Sequence, residues 1–136
     1  MRTLIILLSI FSLGCQNSID PIIYGTNECD NCKMTIVDKH FASAFMNKHG
    51  KTFKFDDVPC MKNFIQINKL DEAALTIFVN LFTEGNELID AKNAYYLHDE
   101  SFKSPMNGNL AAFKDSADSR KFKNETSSAM SWEEIK

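Results

Sequence analysis

Long apolar runs are missing from this 136-residue chain. Leu4 to Leu13 is apolar but far shorter than the roughly 20 residues that a membrane-spanning helix needs. A basic stripe is also missing. The net charge is −3, and the short Arg120-Lys121-Phe122-Lys123 run reads as a solvated helix face, so no nucleic-acid partner is expected. There is no second Cys-x-x-Cys and no histidine pair at matching spacing, which argues against a zinc ribbon. Low-complexity segments and an obvious sequence repeat are absent as well. What remains is 44% hydrophobic and 24% charged, the balance of one ordinary globular domain able to bury its own core.

The densest chemistry lies in Cys29-Asp30-Asn31-Cys32-Lys33-Met34, where three sulfur side chains fall within six residues beside one aspartate and no histidine. Thiolates and thioethers select soft ions such as copper(I), whereas imidazole and carboxylate suit harder ones. If Cys32 to Asp38 forms a strand, the alternation of side chains places Cys32 and Met34 on one face. A small disulfide or a thioredoxin-type redox pair between Cys29 and Cys32 is the competing reading. A redox pair usually opens a helix, and an extended segment follows here.

The N-terminus reads as an address. Arg2, the apolar run and then Gly14-Cys15 before polar Gln16-Asn17-Ser18 resemble a bacterial lipoprotein signal. Residues 1–14 are then the signal peptide, Cys15 the lipid-bearing first residue, and 15–28 a tether with Pro21 and Gly25 as punctuation. Acylation of Cys15 leaves Cys29, Cys32 and Cys60, an odd number that cannot complete a disulfide framework. A bound soft metal is one reason to keep a free thiol in an oxidising compartment.

The folded part is expected from residue 29 to 136, in halves of about 29–80 and 81–136. Extended stretches at Ile36-Val37 and Phe41–Met46, a turn at 48–51 and the alternating Thr52–Phe55 predict a hairpin. Asp57 is the expected N-cap of a helix with Pro59 in its first turn and Val58, Met61, Phe64 and Ile65 on its buried face. Residues 75–82, 88–91, 94–98 and 128–132 read as strands. The segment 110–113 is short and apolar, and a weak helix runs from Asp115 or Ser116 to about Asn124. The fold class is therefore α+β, with two related strand-strand-helix-strand units, each an antiparallel sheet with a helix. Cys60 sits in the first helical turn, where free amides favour a thiolate; it is either a reserve ligand or a small buried hydrophobe. Met106 stands in the polar loop Ser104-Pro105-Met106-Asn107-Gly108, and folding of that loop over the cysteines would add a second thioether. His40, His49 and His98 are alternative ligands.

In order along the chain, Cys29-x-x-Cys32-x-Met34, Phe41-Ala42, Gly50-Lys51-x-Phe53-x-Phe55-Asp56-Asp57-x-x-Cys60-Met61, Asp90-Ala91-x-x-Ala94-Tyr95-Tyr96 and Pro105-Met106 before Ala111-Ala112-Phe113 together resemble the NosL family. The resemblance implies a non-enzymatic, periplasm-facing, lipid-anchored copper(I) protein of the bacterial cell envelope. Its implied partners are the membrane, nitrous oxide reductase and that enzyme's copper-loading transporter machinery. Residue by residue, Cys32, Met34 and Met106 match the copper-binding positions, Cys29 is a helper, and Cys60 lies outside the ligand motif. The chain departs from the family at Lys33 and Asn107, where glycine is usual. Two other functions remain open: a thiol-disulfide oxidoreductase using Cys29 and Cys32, and a lipoprotein that stores copper for tolerance.

Overall fold

The computed structural model describes residues 18–136; the segment expected to be a signal peptide, and Cys15, lie outside the described residues. Two antiparallel sheets carry the fold. The first contains β1 (Ser43–Met46), β2 (Thr52–Phe55), β3 (Thr76–Asn80) and β4 (Leu88–Asp90) in the order β2-β1-β3-β4. The second contains β5 (Tyr95–His98), β6 (Leu110–Phe113) and β7 (Ser128–Met130) in the order β6-β5-β7. Each sheet is centred on its first strand, flanked by the hairpin partner on one side and by the strand after the helix on the other. The sequence expectation of an α+β fold built from two related strand-strand-helix-strand units is met. The division between the sheets falls after β4, because Leu88–Asp90 turns back onto β3 with Val79 opposite Ile89; the expected boundary was near residue 80.

Helix α1 (Val58–Ile67) begins where expected. Asp57 is extended at φ −151, and its carboxylate accepts the Cys60 amide at 2.8 Å, which satisfies one of the free amides of the first turn. Pro59 costs nothing there because its missing N–H had no helical partner. Val58, Met61 and Ile65 are buried as predicted, Phe64 is partly buried, and Cys60 is buried with them. The second helix is a fragment: α2 (Ser116–Ser119), capped by Asp115, gives way to a 3₁₀ turn at Arg120–Phe122, short of the predicted end.

Two expectations fail. Cys32 to Asp38 is not a strand: Lys33 takes a left-handed φ of +66, and a single bridge joins Glu28 to Thr35. The chain reverses there because the Cys29 amide donates to the Met34 carbonyl at 2.8 Å and the Lys33 amide to the Cys29 carbonyl at 2.9 Å. The later part of the expected tether is also folded. Ile22 is buried in the core, the Ile36 amide donates to the Asn27 carbonyl, and Lys54 holds the Pro21 carbonyl at 2.7 Å and the Asn27 side chain at 2.9 Å. Burial of Ile22 in the main core supplies the apolar contact that a free tether would lack.

One core runs through both units, joining Phe45, Phe55 and Met61 of the first to Tyr96, Leu110 and Trp132 of the second. A smaller cluster of Phe41, Leu97, Phe102 and Phe113 lies beside it. Among the described residues, no helix is long and apolar enough to cross a membrane.

Candidate metal centre

Three local devices bring the cysteines together. The reversal at Lys33 curls Cys29 and Cys32 into one loop. Asp30 then pins that loop to β2, its amide donating to the Lys54 carbonyl and its carboxylate accepting the Lys54 amide, both at 2.8 Å. Asp56 stands just past the end of β2, and the capped start of α1 follows it and delivers Cys60. Ligand atoms of Cys29, Cys32, Asp56 and Cys60 all lie within 4.8 Å of one another.

Inside the cluster the Cys29 and Cys60 sulfurs are 3.5 Å apart, and the Cys32 thiol donates to Asp56 Oδ2 at 3.2 Å. The Asn31 amide group donates to Cys60 Sγ at 3.1 Å. Cys29, Asp56 and Cys60 are 0%, 2% and 4% exposed, so Cys32 is the half-open side of the group. Asp56 Oδ1 is buried with no hydrogen-bond partner, a costly state for a carboxylate oxygen.

The three thiols differ electrostatically. Donation from the Cys60 thiol, helped by the amides of Cys32, Asp56 and Asn31, overrides burial and lowers the Cys29 pKa to about 6. Burial is the main reason that Cys32 is pushed up to about 11, and its donation to the Asp56 carboxylate acts in the same direction. Cys60 is raised further, first because its thiol donates a hydrogen bond to Cys29 and then by burial. Of the three thiols, Cys29 is therefore the one whose thiolate the surroundings favour.

The methionines are exposed. Met34 and Met106 are 52% and 42% exposed, among the few large apolar side chains in water. Asp57 ties the Met106 loop to this end of the molecule: its Oδ2 accepts the Ser104 hydroxyl at 3.0 Å and the Met106 amide at 3.3 Å, while its Oδ1 caps α1 at Cys60. Gly108 lies so close to Pro59 that a Cβ would fall 2.2 Å from the ring carbon Cγ. The loop of the second unit is therefore docked on the helix start that carries Cys60. Lys33 and Asn107, the two departures from glycine, both have positive φ, +66 and +55. His40 bonds the Phe82 carbonyl at 2.8 Å, His49 and His98 are exposed, and none of the three joins the cysteine cluster.

The structure brings Cys29 and Cys32 together with Cys60, which the sequence left as either a reserve ligand or a small buried hydrophobe. Sequence reasoning missed Asp56 altogether, although the Asp56-Asp57 pair before a helix carried a usable signal. One carboxylate suffices for the cap, which leaves the other free for a different partner.

A family model for NosL matches residues 22–136. Among solved structures, the crystal structure of the copper chaperone NosL from Shewanella denitrificans superposes with a TM-score of 0.73. It shares 17% identity, and the match covers 88% of this chain and 96% of that one. At that identity the likeness is one of fold. No curated protein matches the chain. The extent of the family match, over all of the folded domain, places this chain in the NosL family.

Proposed function

We propose that the protein is a copper(I) chaperone in which Cys32, Met34 and Met106, assisted by Cys29, hold the cargo ion. Family membership and the fold shared with a copper chaperone support the reading. The observation that carries it is Asp57, whose two carboxylate oxygens hold the Met106 loop and the start of α1 in one place. Met34 follows Cys32 by two residues, and both thioethers are exposed rather than packed in a core. Thioethers are neutral and soft, so they favour copper(I) without adding charge. Exposed donors let a recipient's ligand enter before the last of them leaves, which suits delivery rather than turnover. On this reading Cys15 carries a lipid anchor, the domain faces the periplasm, and the recipient is nitrous oxide reductase with its copper-loading transporter.

The redox reading of Cys29 and Cys32 has less support. The thiol with the lowered pKa is fully buried, and no helix follows Cys32. Attack on an external disulfide needs an accessible thiolate.

The test is a copper(I) titration of the reduced chain against a chromophoric chelator under anaerobic conditions. One ion per chain is expected, with affinity lowered at least about tenfold by Cys32→Ser, Met34→Ala and Met106→Ala, since each removes a donor. Binding that ignores both methionines would overturn the assignment.

A further inference from the structure

Cys60 and Asp56 have no part in the copper-binding set proposed above, yet they complete a different one. We infer that Cys29, Cys32, Cys60 and Asp56 form a second, inner metal site with three sulfur ligands and one oxygen ligand, suited to a divalent ion of the zinc class. The inference does not rest on the copper reading, only on the geometry of the cluster.

Four observations lead to it. All four ligand atoms lie within 4.8 Å of one another. A tetrahedral zinc ion, with Zn–S of about 2.3 Å and Zn–O of about 2.0–2.2 Å, needs donors roughly 3.5–4 Å apart, so the group closes on an ion with shifts of about an ångström. Two of the donor pairs are already bridged by protons, Cys29 with Cys60 at 3.5 Å and Cys32 with Asp56 at 3.2 Å. A cation at the centre takes the place of both protons and satisfies the same four atoms at once. Asp56 Oδ1, in the same group, is buried and without a partner. Finally, Asn31 donates to Cys60 Sγ from outside the group, as supporting residues do around metal thiolates.

Charge decides between ions. Three thiolates and a carboxylate buried together call for at least a divalent cation, and the carboxylate oxygen suits zinc better than copper(I). The outer set, with its neutral thioethers, has the opposite character. Cys29 and Cys32 belong to both sets, so the two ions exclude each other.

Cobalt(II) serves as the spectroscopic probe for zinc. The intact chain, with Cys15→Ser to remove the thiol outside the cluster, is titrated with cobalt(II) anaerobically. The expected result is one ion per chain, with thiolate-to-cobalt charge-transfer bands, strong tetrahedral visible bands, and loss of both on adding zinc. Cys60→Ser and the near-isosteric Asp56→Asn should each weaken cobalt binding at least about tenfold, while Met34→Ala and Met106→Ala leave it unchanged. Copper(I) affinity should show the reverse pattern. Absence of the charge-transfer bands in the chain with Cys60 and Asp56 intact would overturn the inner site, as would unweakened binding by folded Asp56→Asn. Insensitivity of copper(I) to the methionine variants would instead overturn the chaperone assignment and leave the inner site standing.

Discussion

Two residues near the sulfurs are left-handed, and one of them, Lys33, carries backbone strain. Lys33 and Asn107 both occupy left-handed conformations, which asparagine tolerates and lysine does not. Relief of strain at Lys33 is worth about 1–2 kcal/mol, and the extra freedom of glycine in the unfolded chain offsets about 0.5–1 kcal/mol of it. Lys33→Gly should therefore raise stability in denaturant by about 0.5–1 kcal/mol, whereas Asn107→Gly should leave it nearly unchanged. Cys29 offers a pH test. Its folded pKa of about 6 lies below the ordinary 9.0. The stability it contributes is thus complete above pH 9 and lost as pH falls through about 6. Ultraviolet thiolate absorbance of the reduced chain should titrate near pH 6, and Cys60→Ala should move that midpoint upward by removing the donor.

At the scale of elements, the start of α1 and the 104–109 loop act as one unit. Asp57 caps the helix and holds Ser104 and Met106. Replacing it with alanine removes the cap, about 1 kcal/mol, and strands the Ser104 hydroxyl, at a further cost of about 1–2 kcal/mol. The unfolding free energy from denaturant titration should fall by an amount near that sum, and amide exchange over residues 104–109 should rise more than elsewhere. Gly108→Ala probes the same contact sterically. Its Cβ meets the Pro59 ring at 2.2 Å, so the loop must lift. Copper(I) affinity should drop with the displaced Met106, while the Cys29 titration, which depends on α1 and the cysteine loop alone, should stay in place.

The whole molecule is expected to unfold as one body, because the two sheets share a single core. Trp132 is the clearest link. It is buried at the end of the second unit, its indole N–H donates to Glu72 at 2.5 Å, and Lys62 of α1 lies 3.9 Å from its ring centroid while pairing with Glu72 at 3.1 Å. Trp132→Ala should cost about 3–5 kcal/mol. Tryptophan is then absent, so far-ultraviolet circular dichroism and cysteine accessibility are the probes, and they should report one shared transition at a lower midpoint. Two separated transitions would mean that the units hold together independently.

The local code was strong where a signal is completed within a few residues. Asp57 as cap, Pro59 in the first turn, the alternation in Thr52–Phe55 and the paired strand-strand-helix-strand order were legible because each depends on neighbours along the chain. Cys29 and Cys32 were likewise visible as a pair by spacing alone. The strand expected after Cys32 failed because a single left-handed residue, Lys33, reverses the chain, and a periodicity argument does not register one backbone angle. Cys60, Asp56 and the Met106 loop were decided only in three dimensions. Residues 31 and 49 positions apart, respectively, meet through Cys29–Cys60 and Met106–Asp57, and no spacing rule reaches that far. The sequence by itself determined that soft donors were present and which elements would carry them; the tertiary structure decided which donors share a centre, because burial and the twofold use of Asp57 act between segments that the chain order keeps apart.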